Sequence, residues 1–293
     1  MKLATYLKRQ GKAVEAALSR FLPPAKTKPA TLHRAMRYSI FAGGKRLRPI
    51  LALAAAESCG GSTRLALPVA CAVECIHTYS LIHDDLPCMD DDDLRRGRPT
   101  SHKVFGEGIA VLTGDALLTE TFAILATAPE TPRYQIRHLL QELTLAAGSR
   151  ALIAGQVADL EAEGKKSARA ELRFIHKGKT AAMIVASLRL GAMSANASKK
   201  QLQALTTFGE NLGLAFQVID DILDITQTSS KLGKSAGKDV AAQKTTYPAL
   251  LGLEAARKEA RRLTQAAQKA LLPLGADADR LREIADHLLD REY

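Results

Sequence analysis

The sequence predicts an all-α protein, and three observations lead to that prediction. Alanine and leucine are plentiful, whereas aromatic residues make up only 4% of the 293 residues, a composition that favours helix over sheet. Apolar residues recur at steps of three and four along most of the chain, which is the period of an amphipathic helix. No segment has the alternation of apolar and polar residues that a half-buried strand requires.

Helix-period patterning runs through ten segments, and short polar or Gly- and Pro-containing breaks separate them. Three segments are apolar nearly all round, as expected of central helices surrounded by others. None of the breaks resembles an interdomain linker, so we expect a single domain over residues 1–293. The ten segments are 3–20, 31–42, 48–58, 64–86, 104–127, 133–160, 170–194, 199–225, 247–271 and 279–290, of which 64–86, 104–127 and 199–225 are the three central ones.

The composition is that of a globular protein with surplus positive charge. Hydrophobic residues make up 46% of the chain, charged residues 25%, and the net charge is +10, which suits nucleic acid, an anionic membrane or phosphorylated small molecules. The basic residues are spread widely, without a zinc, helix-turn-helix or aromatic RNA-binding pattern, so no nucleic-acid partner is expected. We find no signal segment and no apolar run near the roughly 18 residues that span a bilayer. A cytoplasmic protein without membrane insertion is therefore expected.

The first of two acidic clusters runs from Asp84 to Asp93. It carries six carboxylates in ten residues at the end of an apolar helix. Without a cation, these carboxylates would repel one another and raise one another's pKa. Pro87 cannot continue the helix cleanly. We therefore expect a kinked or bulged turn that carries Asp90 back toward Asp84, so that both can converge on shared ions.

The second acidic cluster, Asp220-Asp221-Ile222-Leu223-Asp224, lies within a strongly apolar helix. Asp220 and Asp224 are four residues apart and share one helix face, which also carries Gln217. Charged groups on an otherwise buried helix are costly unless they are paired or metal-bound. A solvated acidic face is the alternative for either cluster alone. Two clusters of oxygen ligands favour Mg²⁺, which proteins hold with a few carboxylates together with substrate phosphates.

Basic motifs alternate with the acidic ones along the chain, and their cations suit diphosphate groups. A basic cluster alone is more often a solvated surface, but alternation with dicarboxylate motifs is better explained by metal–diphosphate substrates. His77, two helical turns before Asp84, is either a buried packing residue or a diphosphate donor. The basic motifs are Gly43-Gly44-Lys45-Arg46-Leu47-Arg48-Pro49, Leu94-Arg95-Arg96-Gly97-Arg98-Pro99-Thr100, Lys177-Gly178-Lys179-Thr180 and the lysines Lys231, Lys234, Lys238 and Lys244.

Together these motifs resemble the short-chain trans-isoprenyl diphosphate synthases, especially the bacterial farnesyl diphosphate synthase branch. The resemblance rests on Gly43–Pro49, on Ser80–Thr100 and on Phe216–Asp224, and it extends over essentially the whole chain. It implies a homodimer with the isoprenoid synthase fold, a bundle of about ten or more helices around a central cavity. It also implies a transferase of isoprene biosynthesis, which condenses isopentenyl diphosphate head-to-tail with dimethylallyl and geranyl diphosphate to give (E,E)-farnesyl diphosphate.

The resemblance also assigns roles to the matching residues. Asp84 and Asp90 are expected to hold Mg²⁺ that bridges the allylic diphosphate, with Asp85 in support and Asp220 holding a further ion. About two or three Mg²⁺ ions are implied, and Mn²⁺ is expected to substitute. The implied catalytic residues are Asp84, Asp85, Asp90, Arg95, Lys179 and Asp220. Lys45, Arg48, His77 and Arg96 match the isopentenyl diphosphate site, and Arg95, Lys179, Thr180, Gln217, Lys234 and Lys244 match the allylic side. Lys177 remains a rival to Lys179, and Lys238 a rival to Lys244.

Product length is the finer inference. In the family, residues just upstream of the first aspartate line the floor of the product tunnel; here they are Tyr79 and Ser80, five and four positions before Asp84. A bulky Tyr79 favours a C15 product, a smaller residue would favour C20, and the alternative is that Tyr79 is ordinary core. Geranylgeranyl or geranyl diphosphate synthase is thus the alternative within the family. The intact second aspartate motif disfavours a class I terpene cyclase, and the two intact motifs disfavour a non-catalytic subunit.

Overall fold

The computed structural model describes residues 1–165, 168–226 and 245–290, and it confirms the all-α prediction. Within those ranges the only strands are a two-residue antiparallel pair, β1 (Leu94–Arg95) and β2 (Arg98–Pro99). The structure also contains a π-helical segment (Lys177–Ala181) and a 3₁₀ helix (Leu272–Ala278). The α-helices are α1 (Leu3–Phe21), α2 (Ala30–Ile40), α3 (Leu47–Ser58), α4 (Thr63–Asp84), α5 (Ser101–Phe105), α6 (Glu107–Leu125), α7 (Ile136–Ala147), α8 (Leu152–Ala162), α9 (Arg169–His176), α10 (Ala182–Ser194), α11 (Lys199–Thr226), α12 (Tyr247–Leu251), α13 (Leu253–Ala270) and α14 (Asp279–Leu289).

Helix α4 is central, because α3, α6 and α10 all pack against it. Two described helices, α4 and α6, are long and apolar enough to cross a membrane by length and composition, so the expectation that no segment approaches that limit is wrong. Polar residues such as Glu74 interrupt the apolar run of α4, yet its mean hydropathy stays at 1.6. Over its apolar window α4 is 72% buried inside the protein, whereas α6 is only 39% buried. Burial of this extent makes α4 a core helix.

The main differences from the predicted segments occur at helix breaks. Gly106 (φ 84°) separates α5 from α6, and Gly252 (φ 81°) separates α12 from α13, because a positive φ cannot continue a right-handed helix. The predicted segment 133–160 is likewise two helices, α7 and α8, with Ala151 in a non-helical conformation between them. Apolar spacing continues across such breaks, so periodicity alone predicts one helix where there are two.

Helix α11 connects two hydrophobic clusters and directs polar groups toward the space between helices. Its Leu212 belongs to the larger cluster, whereas Leu214 belongs to a smaller one that also includes buried side chains of α12 and α13. Gly213 brings α11 against the π-helical segment, since a Cβ built there would lie 2.5 Å from the Cα of Ala181. This close approach sets Gln217, one turn further along α11, beside Thr180.

Candidate active site

A cavity of about 1140 Å³ lies among α4, α6, α8, α9 and α11. Most of the predicted site residues line it. Lys45 is exposed and lies outside the lining, Asp85 is buried behind it, and Lys234, Lys244 and the rival Lys238 fall outside the described residues. The predicted residues that line the cavity are Arg48, His77, Tyr79, Ser80, Asp84, Asp90, Arg95, Arg96, Lys179, Thr180, Gln217 and Asp220.

The turn predicted after Asp84 is present and folds the acidic run back on the end of α4. The backbone N–H of Asp90 donates to the carbonyl of Asp84 at 2.8 Å, and that of Asp92 donates to the carbonyl of Asp85 at 3.2 Å. Asp91 takes a positive φ of 47° within this turn. As a result Asp84 and Asp90 both line the cavity, in agreement with the expected convergence.

Arg95 neutralises the inner side of this acidic turn. Its guanidinium lies 2.6 Å from Oδ1 of Asp85 and 3.1 Å from Oδ2 of Asp92. Burial raises the pKa of Asp85 to about 6, although Arg95 opposes the rise. Burial also raises the pKa of Asp84, which Lys179 opposes and Asp90 reinforces. Arg95 therefore holds the turn together while its own side chain borders the cavity.

Arg95 and Arg96 are carried by the β1–β2 hairpin, whose turn residues Arg96 and Gly97 both have positive φ, at 56° and 73°, as in the tight turns favoured by twisted hairpins. The Arg96 guanidinium donates to the carbonyl of Gly43. A Cβ on Gly44 would lie 2.5 Å from that guanidinium carbon. Gly44 therefore leaves the space that Arg96 occupies beside the glycine loop, which is formed by residues 41–46 between α2 and α3.

Arg48 and His77 contact each other in the cavity, with Nη1 of Arg48 lying 3.3 Å from Nε2 of His77. Burial, followed by the charge of Arg48, holds the pKa of His77 well below its usual value. The imidazole is thus neutral at pH 7. Because a guanidinium only donates, Nε2 of His77 accepts and its proton resides on Nδ1.

Arg46, to which the sequence assigned no role of its own, holds the loop between α2 and α3. It is buried, its Nη1 lies 2.6 Å from Oε1 of Glu74, and its Nη2 donates to the carbonyl of Ile40 at 2.6 Å. The residue itself adopts a left-handed conformation with φ 51°. This ion pair anchors the loop that leads into α3, whose second residue is Arg48, so Arg46 has a structural role.

Lys179 lies between two carboxylates, with its Nζ 2.7 Å from Oδ2 of Asp159 and 3.9 Å from Oδ2 of Asp84. Burial alone would lower the pKa of Lys179, but Asp84, Asp159 and Asp90 together hold it above its usual value. Its rival Lys177 is exposed and does not line the cavity. Lys179 is thus a half-buried, charged group at the acidic end of the cavity.

Asp159 on α8 and His176 on α9 are among the cavity residues that sequence reasoning missed. The signal for Asp159 was present, since it is a lone carboxylate within the apolar segment 152–160, and such a group needs a partner. Nothing comparable pointed to His176. Burial lowers the pKa of His176 to about 3, and its ring lies on Tyr247 with centroids 5.5 Å apart. Both residues border Lys179 from neighbouring elements.

Replacing Gly155 with alanine is expected to lower the free energy of unfolding by about 2–3 kcal/mol. A Cβ there would lie 2.3 Å from the backbone N of Lys179 and 2.8 Å from the carbonyl carbon of Gly178, so backbone would have to move. Urea denaturation followed by circular dichroism measures the change. Gly108→Ala on α6, where a Cβ meets nothing within 4 Å, is the control and should leave stability unchanged or slightly higher. Equal midpoints for the two variants would contradict the predicted clash.

All three aspartates of the second acidic cluster line the cavity, but their hydrogen bonds differ. Asp220 and Asp224 line the cavity, and Oδ2 of Asp224 is buried without a hydrogen-bond partner among the described residues. Asp221 accepts hydrogen bonds from the backbone N–H of Tyr247 at 3.0 Å and from Nε2 of Gln217 at 3.2 Å. Gln217 in turn accepts from the hydroxyl of Thr180 at 2.9 Å.

The residues present fit a magnesium ion that shares its coordination with a substrate. In the described part of the chain, no group of three or more His, Cys, Asp or Glu side chains is arranged to hold a metal ion. The cavity-lining carboxylates are oxygen donors of the type that Mg²⁺ prefers, and the buried, unpartnered oxygen of Asp224 is a group that a cation would satisfy. Asp84, Asp90, Asp220 and Asp224 are the candidates to hold it.

Comparison with known proteins finds similarity along nearly the whole chain. Residues 29–280 match the polyprenyl synthetase family. The chain is 45% identical over 296 residues to the farnesyl diphosphate synthase of Geobacillus stearothermophilus, covering 100% of this chain and 99% of the relative. It is 48% identical over 283 residues to the chloroplastic heterodimeric geranylgeranyl pyrophosphate synthase large subunit 1 of Arabidopsis thaliana, covering 94% and 75%. The solved structure of a geranyltransferase from Legionella pneumophila superposes with a TM-score of 0.87 at 32% identity, covering 99% and 97%.

Proposed function

Because the chain belongs to the polyprenyl synthetase family, we propose that it condenses isopentenyl diphosphate with dimethylallyl and geranyl diphosphate to give (E,E)-farnesyl diphosphate. The chain is a short-chain prenyltransferase, and its relatives include both a farnesyl diphosphate synthase and a geranylgeranyl pyrophosphate synthase subunit. One observation carries the proposal: carboxylates of the first acidic turn and of α11 share one cavity with arginines and a half-buried lysine. Such a cavity suits two diphosphate-bearing substrates.

The cationic side chains provide two groups of contacts. The first group is proposed to bind isopentenyl diphosphate. In it, Arg48 contacts His77, Arg96 contacts the glycine loop, and all three side chains line the cavity. Lys179 and Arg95 lie beside Asp84 and Asp85 and are proposed to contact the allylic diphosphate. The family resemblance assigns the same role to Lys234 and Lys244, which lie outside the described residues. Lys45, which is exposed and does not line the cavity, is proposed as a further contact for isopentenyl diphosphate on the basis of the family resemblance alone. Placing both diphosphates in one cavity holds the double bond near the allylic carbon.

Condensation then follows from charge and from exclusion of water. Mg²⁺, two or three ions of which we propose with Mn²⁺ as a substitute, would supply positive charge to the leaving diphosphate as the allylic carbon–oxygen bond breaks. Lys179 adds a fixed positive charge on the same side. Thr180 and Gln217 line the wall with oxygens that can steady an allylic cation, and apolar lining residues such as Phe216 keep water away from it. The attacking double bond then forms the new carbon–carbon bond, and a proton leaves to the released diphosphate.

The direct test is to incubate the purified chain with isopentenyl diphosphate, Mg²⁺ and each allylic diphosphate in turn. Mass spectrometry of the dephosphorylated products should show C15 alcohol as the main species from dimethylallyl and geranyl starters. A dominant C20 product would support the geranylgeranyl alternative instead. Absence of condensation with every starter would refute the proposed function.

Replacing Tyr79 with alanine is expected to raise the C20 to C15 product ratio by about tenfold. The side chain is only 7% exposed, lines the cavity beside Ser80 and packs edge-on against His83 with ring centroids 5.8 Å apart, so its removal would deepen the floor. Tyr79→Phe keeps the ring and is the control, with C15 retained. An unchanged ratio in Tyr79→Ala would remove the argument for C15 from this residue.

We also propose that two copies of the chain form a homodimer through α6. The apolar window of this helix is only 39% buried, and Leu112 is 55% exposed. Leu112→Glu should shift the sedimenting species from two chains to one in analytical ultracentrifugation, because a charge would be buried at the interface. Leu65→Glu, at a comparably exposed leucine of α4 (44%), is the control and should sediment as the parent protein does. Identical sedimentation of the two variants would argue against α6 as the interface.

Two further proposals concern organisation and location. We propose that residues 1–293 form one domain, since the family match spans 29–280 and α11 contributes to both hydrophobic clusters. A cytoplasmic location without membrane insertion is supported by the burial of α4 in the core and by a dimer that would cover α6. Fractionation of cells expressing the full chain tests this, with recovery in the membrane pellet as the contrary result.

A further inference from the structure

A chain of hydrogen bonds runs from the backbone after the second acidic cluster to the cavity wall. It begins at the N–H of Tyr247, passes through the two carboxylate oxygens of Asp221 and the amide of Gln217, and ends at the hydroxyl of Thr180. The three links measure 3.0, 3.2 and 2.9 Å. Its last three members, Asp221, Gln217 and Thr180, line the cavity, whereas Tyr247 does not, so the chain connects the backbone behind the wall to the surface that a substrate would meet.

The direction of every bond in this chain is fixed by chemistry. A backbone N–H only donates, so Oδ2 of Asp221 accepts from Tyr247. The other oxygen of Asp221 lies 3.2 Å from Nε2 of Gln217. Because a carboxylate oxygen only accepts, the amide turns its NH₂ group toward Asp221 and its oxygen toward Thr180. Because an amide oxygen only accepts, the hydroxyl of Thr180 is the donor. The proton of Thr180 is thereby directed away from the cavity.

We propose that Asp221 is a positioning residue that sets the polarity of the cavity wall at Thr180 and Gln217, an inference that rests on the proposed prenyltransferase function. With its proton committed to Gln217, Thr180 presents lone pairs to the cavity, and lone pairs stabilise a neighbouring allylic cation whereas an O–H dipole pointing at it would not. Asp221 is 3% exposed and Thr180 6% exposed. At this depth the protein, rather than bulk water, sets the orientation of the amide.

Asp221 thus differs in role from the aspartates on either side of it. Asp220 and Asp224 are the members of the cluster proposed to hold a cation, whereas both oxygens of Asp221 accept hydrogen bonds from protein groups. Loss of the carboxylate would free the Gln217 amide to rotate by half a turn. Its NH₂ group would then face Thr180, which would become the acceptor and point its proton elsewhere.

The test exchanges the two side chains. Asp221→Asn places a donor where the Gln217 amide needs an acceptor, and Gln217→Glu sets two carboxylates beside each other, so each single variant should lower kcat by roughly 10- to 100-fold. The double variant Gln217→Glu/Asp221→Asn restores the order, since Thr180 donates to Glu, the Asn NH₂ donates to Glu, and Tyr247 donates to the Asn oxygen. Its net charge equals that of the parent. We expect its kcat to return to within about threefold of the parent value, with KM for isopentenyl diphosphate unchanged throughout.

Two outcomes would overturn the proposal. One is a double variant no faster than the slower single variant, which would mean that Asp221 acts through its charge at its own position. The other comes from a cycle with Thr180→Val, which removes the hydroxyl: if Asp221→Asn slows Thr180→Val by the same factor as it slows the parent, the two residues act independently. Thermal melts establish that each variant is folded. Failure of the parent protein to condense any substrates would instead count against the proposed function itself.

Discussion

Replacing Asp84 with alanine is expected to lower kcat for condensation by about 1000-fold or more. Asp84 ends α4, lines the cavity beside Asp90, and lies 3.9 Å from the ammonium of Lys179. Its loss would remove a carboxylate proposed to hold Mg²⁺ and would leave Lys179 to contact Asp159 alone. Initial rates over a range of Mg²⁺ concentrations measure the effect, and excess Mg²⁺ should not restore the rate fully.

Asp93→Ala is the matched control for that variant. Asp93 belongs to the same acidic run, but its side chain is 74% exposed and pairs with Lys103 at 2.7 Å, away from the cavity. An exposed ion pair of this kind contributes little, so the rate should stay within about twofold of the parent. Comparable losses in the two variants would show that overall acidity, rather than the position of Asp84, matters.

Replacing Lys179 with alanine is expected to lower kcat/KM for the allylic substrate by about 100-fold or more. The half-buried ammonium lies between Asp159 and Asp84, and its removal would leave two carboxylates close together without the cation that separates them. Steady-state kinetics with geranyl diphosphate varied at saturating isopentenyl diphosphate measures this loss. Lys179→Arg keeps the charge and should recover part of the rate.

Lys177→Ala controls for the general loss of a lysine from the same motif. Lys177 is exposed, whereas Lys179 borders the cavity, and the structure thereby favours Lys179 in a choice that the sequence left open. The Lys177 variant should match the parent within about twofold. If instead it lost more activity than Lys179→Ala, the assignment within this motif would have to be reversed.

The sequence predicted the parts of the site that depend on local chain geometry. Pro87 and the close spacing of carboxylates were enough to predict the turn that returns Asp90 to Asp84, because a proline has no backbone N–H with which to continue the helix. Helical spacing likewise predicted that Asp220 and Asp224 share a face. These arguments involve neighbours only a few residues away, so little knowledge of tertiary packing was needed.

The remaining parts of the site depend on contacts between distant segments. Asp159 reaches Lys179 only because Gly155 lets α8 approach the π-helical segment, and no local pattern encodes that approach. Arg46 looked equivalent to its basic neighbours until the fold placed it against Glu74, 28 residues away. The divided roles of Asp220 and Asp221 similarly depend on Tyr247, which the chain brings back from 26 residues further on.

The hairpin that carries Arg95 and Arg96 has a consequence for how the two diphosphate sites are spaced. Arg95 is tied to the acidic turn and Arg96 to the glycine loop, yet the two residues are adjacent, with Cα atoms about 3.8 Å apart. Under the proposed function, the single peptide unit between Arg95 and Arg96 therefore fixes the spacing between the allylic diphosphate site and the isopentenyl diphosphate site. Substitutions that loosen helix packing would widen the cavity before they altered this spacing, whereas a single residue inserted between Arg95 and Arg96 would change it directly.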